Sequence, residues 1–129
     1  MMTFGFNKLQ FLTNPNSMLY SYSTLFQFTK NVFIKMGCSQ KDAQLATTVL
    51  LSADIRGIDS HGVARLSGYV RLWEAGRINT QPSLKIVHET PSTAVIDGDA
   101  GLGLVVSPFA MQVAIQKAQQ CGTGWVSVK

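Results

Sequence analysis

GRINTQPSLKIVHETPSTAVID, residues 76–97, is where the hydrophobic pattern changes period. Before it, apolar side chains recur at spacings of three and four, as in helices that bury one face. After it, residues 84–88 and 93–97 alternate or cluster β-branched side chains around the turn sequence ETPS, which predicts a strand hairpin. Upstream of the break, a helix over about 23–36 carries Leu25, Phe28, Val32 and Met36 on one face, and Gly37 stops it. Ser39 with Asp42 three residues later opens a second helix, whose inner face holds Ala43, Ala46, Leu50 and Ala53. Arg56 falls in its last turn and Gly57 ends it. A third helix is predicted from Ser60 to about Gly76. Downstream, a helix over about 105–120 tolerates Pro108 only in its first turn, CGTG breaks it, and WVSV reads as a buried strand.

Three helices followed by β-β-α-β predict an α/β (α+β) chain. The expected organisation is an extension over 1–20, a helical domain over 21–82 and the start of an α/β domain over 83–129. Because the chain finishes on an apolar strand, the later strands of that second domain are expected to be missing. The 129 residues suffice to bury a core, and 46% hydrophobic against 14% charged residues excludes a disordered chain. The net charge of +4 is mild, and the early lysines (Lys8, Lys30, Lys35, Lys41) are dispersed and not interleaved with stacking aromatics. Nucleic-acid binding is therefore not expected. No apolar run approaches the roughly 20 residues that span a bilayer, so no membrane role is expected. Cys38 and Cys121 have no metal-ligand spacing and form no disulfide framework, which points to a reduced, cytoplasmic setting without a metal site. The opening MMTFGFNKLQFLTNPNSML has neither a compact apolar region with a cleavage site nor arginine, which argues against secretion and organelle import.

Chemistry concentrates in DIRGIDSHGVARLSGYV, residues 54–70. On a regular helix at about 100° per residue, with His61 at zero, Arg65 falls near 40° and Gly68 near −20°. Val63, Leu66, Val70 and Trp73 lie between about 120° and 200°, on the opposite side. His61 and Arg65 then share a face lined by the small Ala64 and Gly68, which leaves room for a ligand. A histidine exchanges protons near neutral pH, and an arginine fork holds a carboxylate through parallel hydrogen bonds. Together they suit a 2-oxo or 2-hydroxy acid, with Ser60 and the nearby backbone amides as further donors. The plainer readings are an N-cap for Ser60, a solvated face for His61 and Arg65, and helix-end electrostatics for Asp54 and Arg56. His88 reads as a surface or structural histidine.

DGDAGLG, residues 97–103, follows a strand and precedes a helix, but its glycines run G-x-x-G-x-G, the reverse of the dinucleotide fingerprint. No acid ends a second parallel strand some 20 residues on, so the segment reads as a strand–helix turn, with a cofactor loop as the lesser alternative. The lysine of a triphosphate-binding loop is absent as well.

ADIRGIDSHGVARLSGYV (53–70), followed by AGRIN (75–79), IDGDAGLG (96–103) and AMQVAIQKAQQCGTGWVSV (110–128), resembles the malate/L-lactate dehydrogenase family of the non-Rossmann type. The likeness covers about residues 20–129, and SHG-x-x-R in these surroundings is its most specific element. The resemblance implies an oxidoreductase that passes a hydride between NAD or NADP and a 2-hydroxy or 2-oxo acid, and a homodimer at full length. It implies a helical domain joined to a non-Rossmann, two-layer α/β domain. It further implies that His61 gives or takes the substrate proton, that Ser60 assists it, and that Arg65 binds the substrate carboxylate. Family chains continue into an Asn-His-Phe-Gly-type segment and most of the cofactor site, so no cofactor-binding residue carries over. The rival expectation is a non-catalytic chain that acts, if at all, by protein–protein association through an unfilled sheet edge.

Overall fold

A computed structural model describes residues 20–129. The extension expected over 1–20 lies outside the described residues except for Tyr20. Two serines start the first two helices. Ser21 Oγ accepts the Thr24 amide at 3.1 Å ahead of α1, Tyr22–Lys35. Ser39 Oγ accepts the Asp42 amide at 3.0 Å and donates to the Asp42 carboxylate at 2.7 Å ahead of α2, Gln40–Ile55. The forward half of the expected capping box is present, while the shorter acid Asp42 bonds the Ser39 hydroxyl in place of its backbone amide. Gly37 takes φ +103° and Gly57 φ +73°, the left-handed values that end helices.

The buried face of α1 agrees with the expected one at Val32 and Met36 and departs from it at Phe28. Thr29, Phe33 and Met36 face the core, whereas Phe28 is largely exposed. The neighbouring helix decides this: α2 presents the small Ala43 and Ala46 beside Leu50, a groove that admits the Phe33 ring. The inner face of α2 is the expected one, extended by Thr47, whose hydroxyl donates to the Ala43 carbonyl at 2.7 Å.

The predicted third helix is a correction. Residues 60–76 do not form one helix: two single 3-10 turns, Asp59–His61 and Val63–Arg65, precede α3, Leu66–Glu74. Gly62 separates the turns with φ −90° and ψ −143°, outside helical geometry. Leu66 is buried and Val63, Val70 and Trp73 pack against the helical core, so the inward face was legible even though the helix was not continuous.

Beyond α3 the chain turns into a three-stranded sheet of order β1-β2-β3. Strands β1, Lys85–Glu89, and β2, Thr93–Asp97, form the expected antiparallel hairpin, with an irregularity between Ile86 and His88. Helix α4, Gly103–Cys121, crosses over to β3, Trp125–Val128, which lies parallel to β2. β3 is not the buried strand expected: Trp125 is 76% exposed, because β3 occupies an outer position and α4 covers the sheet chiefly at Ala94 and Ile96. Pro108 lies in the second turn of α4, not the first, where it withholds a helix N–H. DGDAGLG is the strand–helix turn expected; Asp99 and Ala100 take φ +50° and +51° there.

The two halves are stitched together. Leu102 and Val105 at the start of α4 complete the helical core, while Ala110 and Val113 pack on the sheet. The Asp99 carboxylate accepts from Asn79 Nδ2 and the Ser83 amide, both at 2.9 Å, and Gln81 Nε2 reaches the Gly37 carbonyl at 3.2 Å. At the far end of α4 the buried Lys117 donates to Glu89 at 3.1 Å and to the Thr90 carbonyl at 2.7 Å. No helix among the described residues is long and apolar enough to cross a membrane.

Both cysteines are free, Cys38 buried and Cys121 exposed. Burial, reinforced by the charge of Asp42, pushes the Cys38 thiol from an ordinary 9.0 up to about 11. A thiol reagent at pH 8 is expected to modify Cys121 quickly and Cys38 only after unfolding; rapid reaction of both in the native chain would contradict this packing. The unfolded thiol ionises first, so the stability tied to Cys38 is present below about pH 9 and is lost as the pH rises towards 11.

Candidate active site

The site is built on the two 3-10 turns and the first turns of α3. Ser60 does not cap a helix: its hydroxyl lies 2.9 Å from His61 Nδ1. This bond engages one ring nitrogen of His61, and among the described residues nothing bonds Nε2. Arg65 Nε donates to the Ser60 carbonyl at 2.7 Å, which folds the guanidinium back towards the turn that carries His61. Its two terminal nitrogens bond no other described residue and so remain as an end-on fork. His61 and Arg65 come together despite the broken helix, because the Arg65–Ser60 bond does what the regular helix was expected to do.

His61, Arg65, Gly68, Tyr69 and Leu72 line one cavity of about 320 Å³. Gly68 adds no side chain to the wall, and a Cβ there would stand in open space with no atom within 4 Å. Tyr69 and Leu72 were not expected in the wall. Tyr69 is fixed by its ring contact with the fully buried Phe33, centroids 6.3 Å apart and planes tilted by 60°. The cavity therefore joins one titratable and one cationic side chain to an apolar wall, the usual make-up of a small-ligand pocket. Asp59 is exposed beside the site, and His88 stands exposed on β1 and does not line this cavity.

Asp54 is the residue that sequence reasoning misplaced. It does not serve helix-end electrostatics: its carboxylate accepts the Val63 amide at 2.8 Å, across nine residues. Gly62 lies against the same carboxylate, so a Cβ at position 62 would overlap its atoms. A negative charge in the last turn of a helix costs about 0.3–1 kcal/mol against the dipole. A hydrogen bond to a charged group contributes about 1.5–3 kcal/mol, so the bond to Val63 outweighs that penalty. An acid where the dipole disfavours one was the available signal. Arg56, by contrast, stands at the C-cap of α2, as expected.

The family profile described as malate/L-lactate dehydrogenase matches residues 20–129. The chain belongs to that family. It is 47% identical over 105 residues to a malate dehydrogenase of Pyrococcus abyssi, covering 81% of this chain and 29% of that protein. It is 44% identical over 99 residues to an L-sulfolactate dehydrogenase of Methanocaldococcus jannaschii, covering 77% and 29%. The solved sulfolactate dehydrogenase of the same organism superposes with a TM-score of 0.82 at 40% identity, over 86% of this chain and 32% of that one. The chain thus spans about 30% of the length of these relatives, all of them oxidoreductases by name. The family and the mixed helix-and-sheet architecture agree with the sequence reading.

Gly62 supplies a test of this geometry. Gly62→Ala is expected to destabilise the chain by about 1–3 kcal/mol, the cost of forcing a methyl group into a filled site. Urea unfolding checks it, and an unchanged midpoint would show that the carboxylate does not sit against position 62.

Proposed function

We propose that the cavity binds a small 2-hydroxy or 2-oxo acid such as malate or lactate, and that this chain carries the acid-binding and proton-transfer part of a dehydrogenase. The observation that carries the reading is that His61 and Arg65 line the same cavity, each with its ligand-facing nitrogens uncommitted. Arg65 holds the substrate carboxylate through its two terminal nitrogens. His61 takes the hydroxyl proton as the alcohol is oxidised and returns it in the reverse direction. Ser60 acts on His61 through Nδ1, fixing the ring and its tautomer so that Nε2 meets the substrate oxygen. Tyr69 and Leu72 give the substrate's carbon side an apolar wall.

Dehydrogenation requires a hydride acceptor, NAD or NADP. Such a dinucleotide is too large for a cavity of about 320 Å³. The cavity at the glycine turn before α4 carries the Asp97 carboxylate, and the cation that lines it, Lys129, is already paired with that carboxylate at 3.3 Å. The described residues therefore do not frame a site for it, and the roles of His61, Ser60 and Arg65 stop at the acid and its proton. A homodimer and a cytoplasmic setting go with this reading by family resemblance, the latter also supported by two free cysteines.

Titration of the chain with L-malate, followed at the His61 ring resonances, tests the proposal. Arg65→Lys is expected to weaken binding roughly tenfold or more, because a point charge replaces the fork. Gly68→Leu is expected to abolish binding with the fold intact, since the added side chain occupies the cavity. Wild-type affinity in both variants would overturn the reading. In an enzyme of the relatives' length carrying these residues, His61→Ala is expected to lower kcat by about two to four decades; a loss under tenfold would remove His61 from proton transfer.

A further inference from the structure

We propose that Asp54 is a positioning residue of this site: its carboxylate, pinned between the Gly62 Cα and the Val63 amide, sets where His61 stands relative to Arg65. The catalytic meaning of this inference rests on the function proposed above, but its structural content does not.

His61 and Arg65 ride on different 3-10 turns, and Gly62 is the joint between them. A single-turn helix has almost no cooperativity, so contacts beyond the turns' own backbone bonds must fix their relative orientation; the Arg65–Ser60 bond is one, and it leaves the joint itself untied to α2. On the His61 side, the His61 amide donates to the Ile58 carbonyl at 2.9 Å and the Gly62 amide to the Asp59 carbonyl at a long 3.3 Å. On the Arg65 side, the Arg65 amide donates to the Gly62 carbonyl at 2.9 Å. Among these backbone bonds none reaches α2 from the joint; the Asp54 carboxylate does, through Val63 at 2.8 Å.

Asp54 can serve as a fixed point because its helix is anchored. Leu50 and Leu51, one turn earlier, are almost completely buried, and the Ile58 amide returns to the Ala53 carbonyl at 2.8 Å. The carboxylate is half-buried, which screens its bond less than solvent would. The fit at Gly62 excludes any side chain there and makes the contact a stop as well as a tether. Beside the packing of Val63 on the helical core and the Arg65–Ser60 bond, the Asp54 carboxylate thus refers the placement of imidazole and guanidinium to that core while touching neither of them.

The chain contains two histidines, so ring resonances are assigned with a single His88→Gln control. Two signals are read on the 15N-labelled 129-residue chain: the Nδ1 and Nε2 shifts of His61, and hydrogen exchange at the Val63 amide. In Asp54→Ala, Val63 is expected to exchange about tenfold faster or more, as loss of a charge-assisted bond allows. The two ring shifts of His61 are expected to move towards those of an unconstrained imidazole. Amides of α1 and β2 should keep their protection, and Asp54→Asn, which retains an acceptor oxygen, should restore most of both signals. An Asp54→Ala chain with a protected core and unmoved His61 shifts would overturn the proposal.

If Asp54→Ala loses its fold, Asp54→Glu is read on the same signals. The extra methylene displaces the acceptor, so unmoved His61 and Val63 signals there would overturn the proposal equally. L-malate binding separates the two readings. Wild-type chain that does not bind L-malate, alongside altered ring shifts in Asp54→Ala, rejects the substrate and keeps the positioning role.

Discussion

The Val63 amide donates its hydrogen to a carboxylate that belongs to a helix ending eight residues earlier. Much of the site's shape follows from that single contact. It interrupts what hydrophobic periodicity alone would make a continuous helix, because Gly62 must pass against the carboxylate with no side chain and outside helical geometry. The interruption frees the Ser60 carbonyl to accept from Arg65 and turns the Ser60 hydroxyl onto the imidazole instead of onto a helix N-terminus. The local helical preference of the segment is weak, since Gly62 costs about 1 kcal/mol relative to alanine. One charge-assisted hydrogen bond is enough to override it.

Around this contact the two halves of the chain share α4. Its first turns close the helical core with Leu102 and Val105, and its middle covers β2 with Ala110 and Val113. Asp99 ties the connection after α3 to the turn before α4, and its left-handed backbone is held by the bonds to Asn79 and Ser83. The core of α1 and α2 carries the site more directly: Phe33 holds the ring of Tyr69, and Leu50 and Leu51 hold the turn that presents Asp54. A cavity walled by α3 and the two turns before it is therefore backed by residues on α1 and α2.

The periodic elements were legible in the sequence because their signals are local. The Ser39–Asp42 cap, the stops at Gly37 and Gly57, the hairpin on either side of ETPS and the helix before CGTG depend on residues within one or two turns of each other. His61 and Arg65 were legible as a pair because the chemistry of their side chains and their spacing are both written in SHG-x-x-R. The inner face of α1 was legible at Val32 and Met36 but not in its choice of aromatic, since Phe28 and Phe33 are equally apolar and the alanines of α2 select between them. Exposure of β3 was not either, because a strand of alternating Val gives no account of which neighbours cover it.

The sequence by itself determined the family, the order of helices and strands, and that His61 and Arg65 share one face. These follow from short-range propensity, capping and motif chemistry, which need no knowledge of what lies across the fold. Only the tertiary structure decided how they meet. Asp54 acts nine residues away on the Val63 amide, and the Phe33 ring lies against Tyr69 across two helices. Each of these is a contact between segments whose separation in sequence carries no periodic signal, so its existence depends on how α1, α2 and α3 pack and on nothing either segment encodes alone.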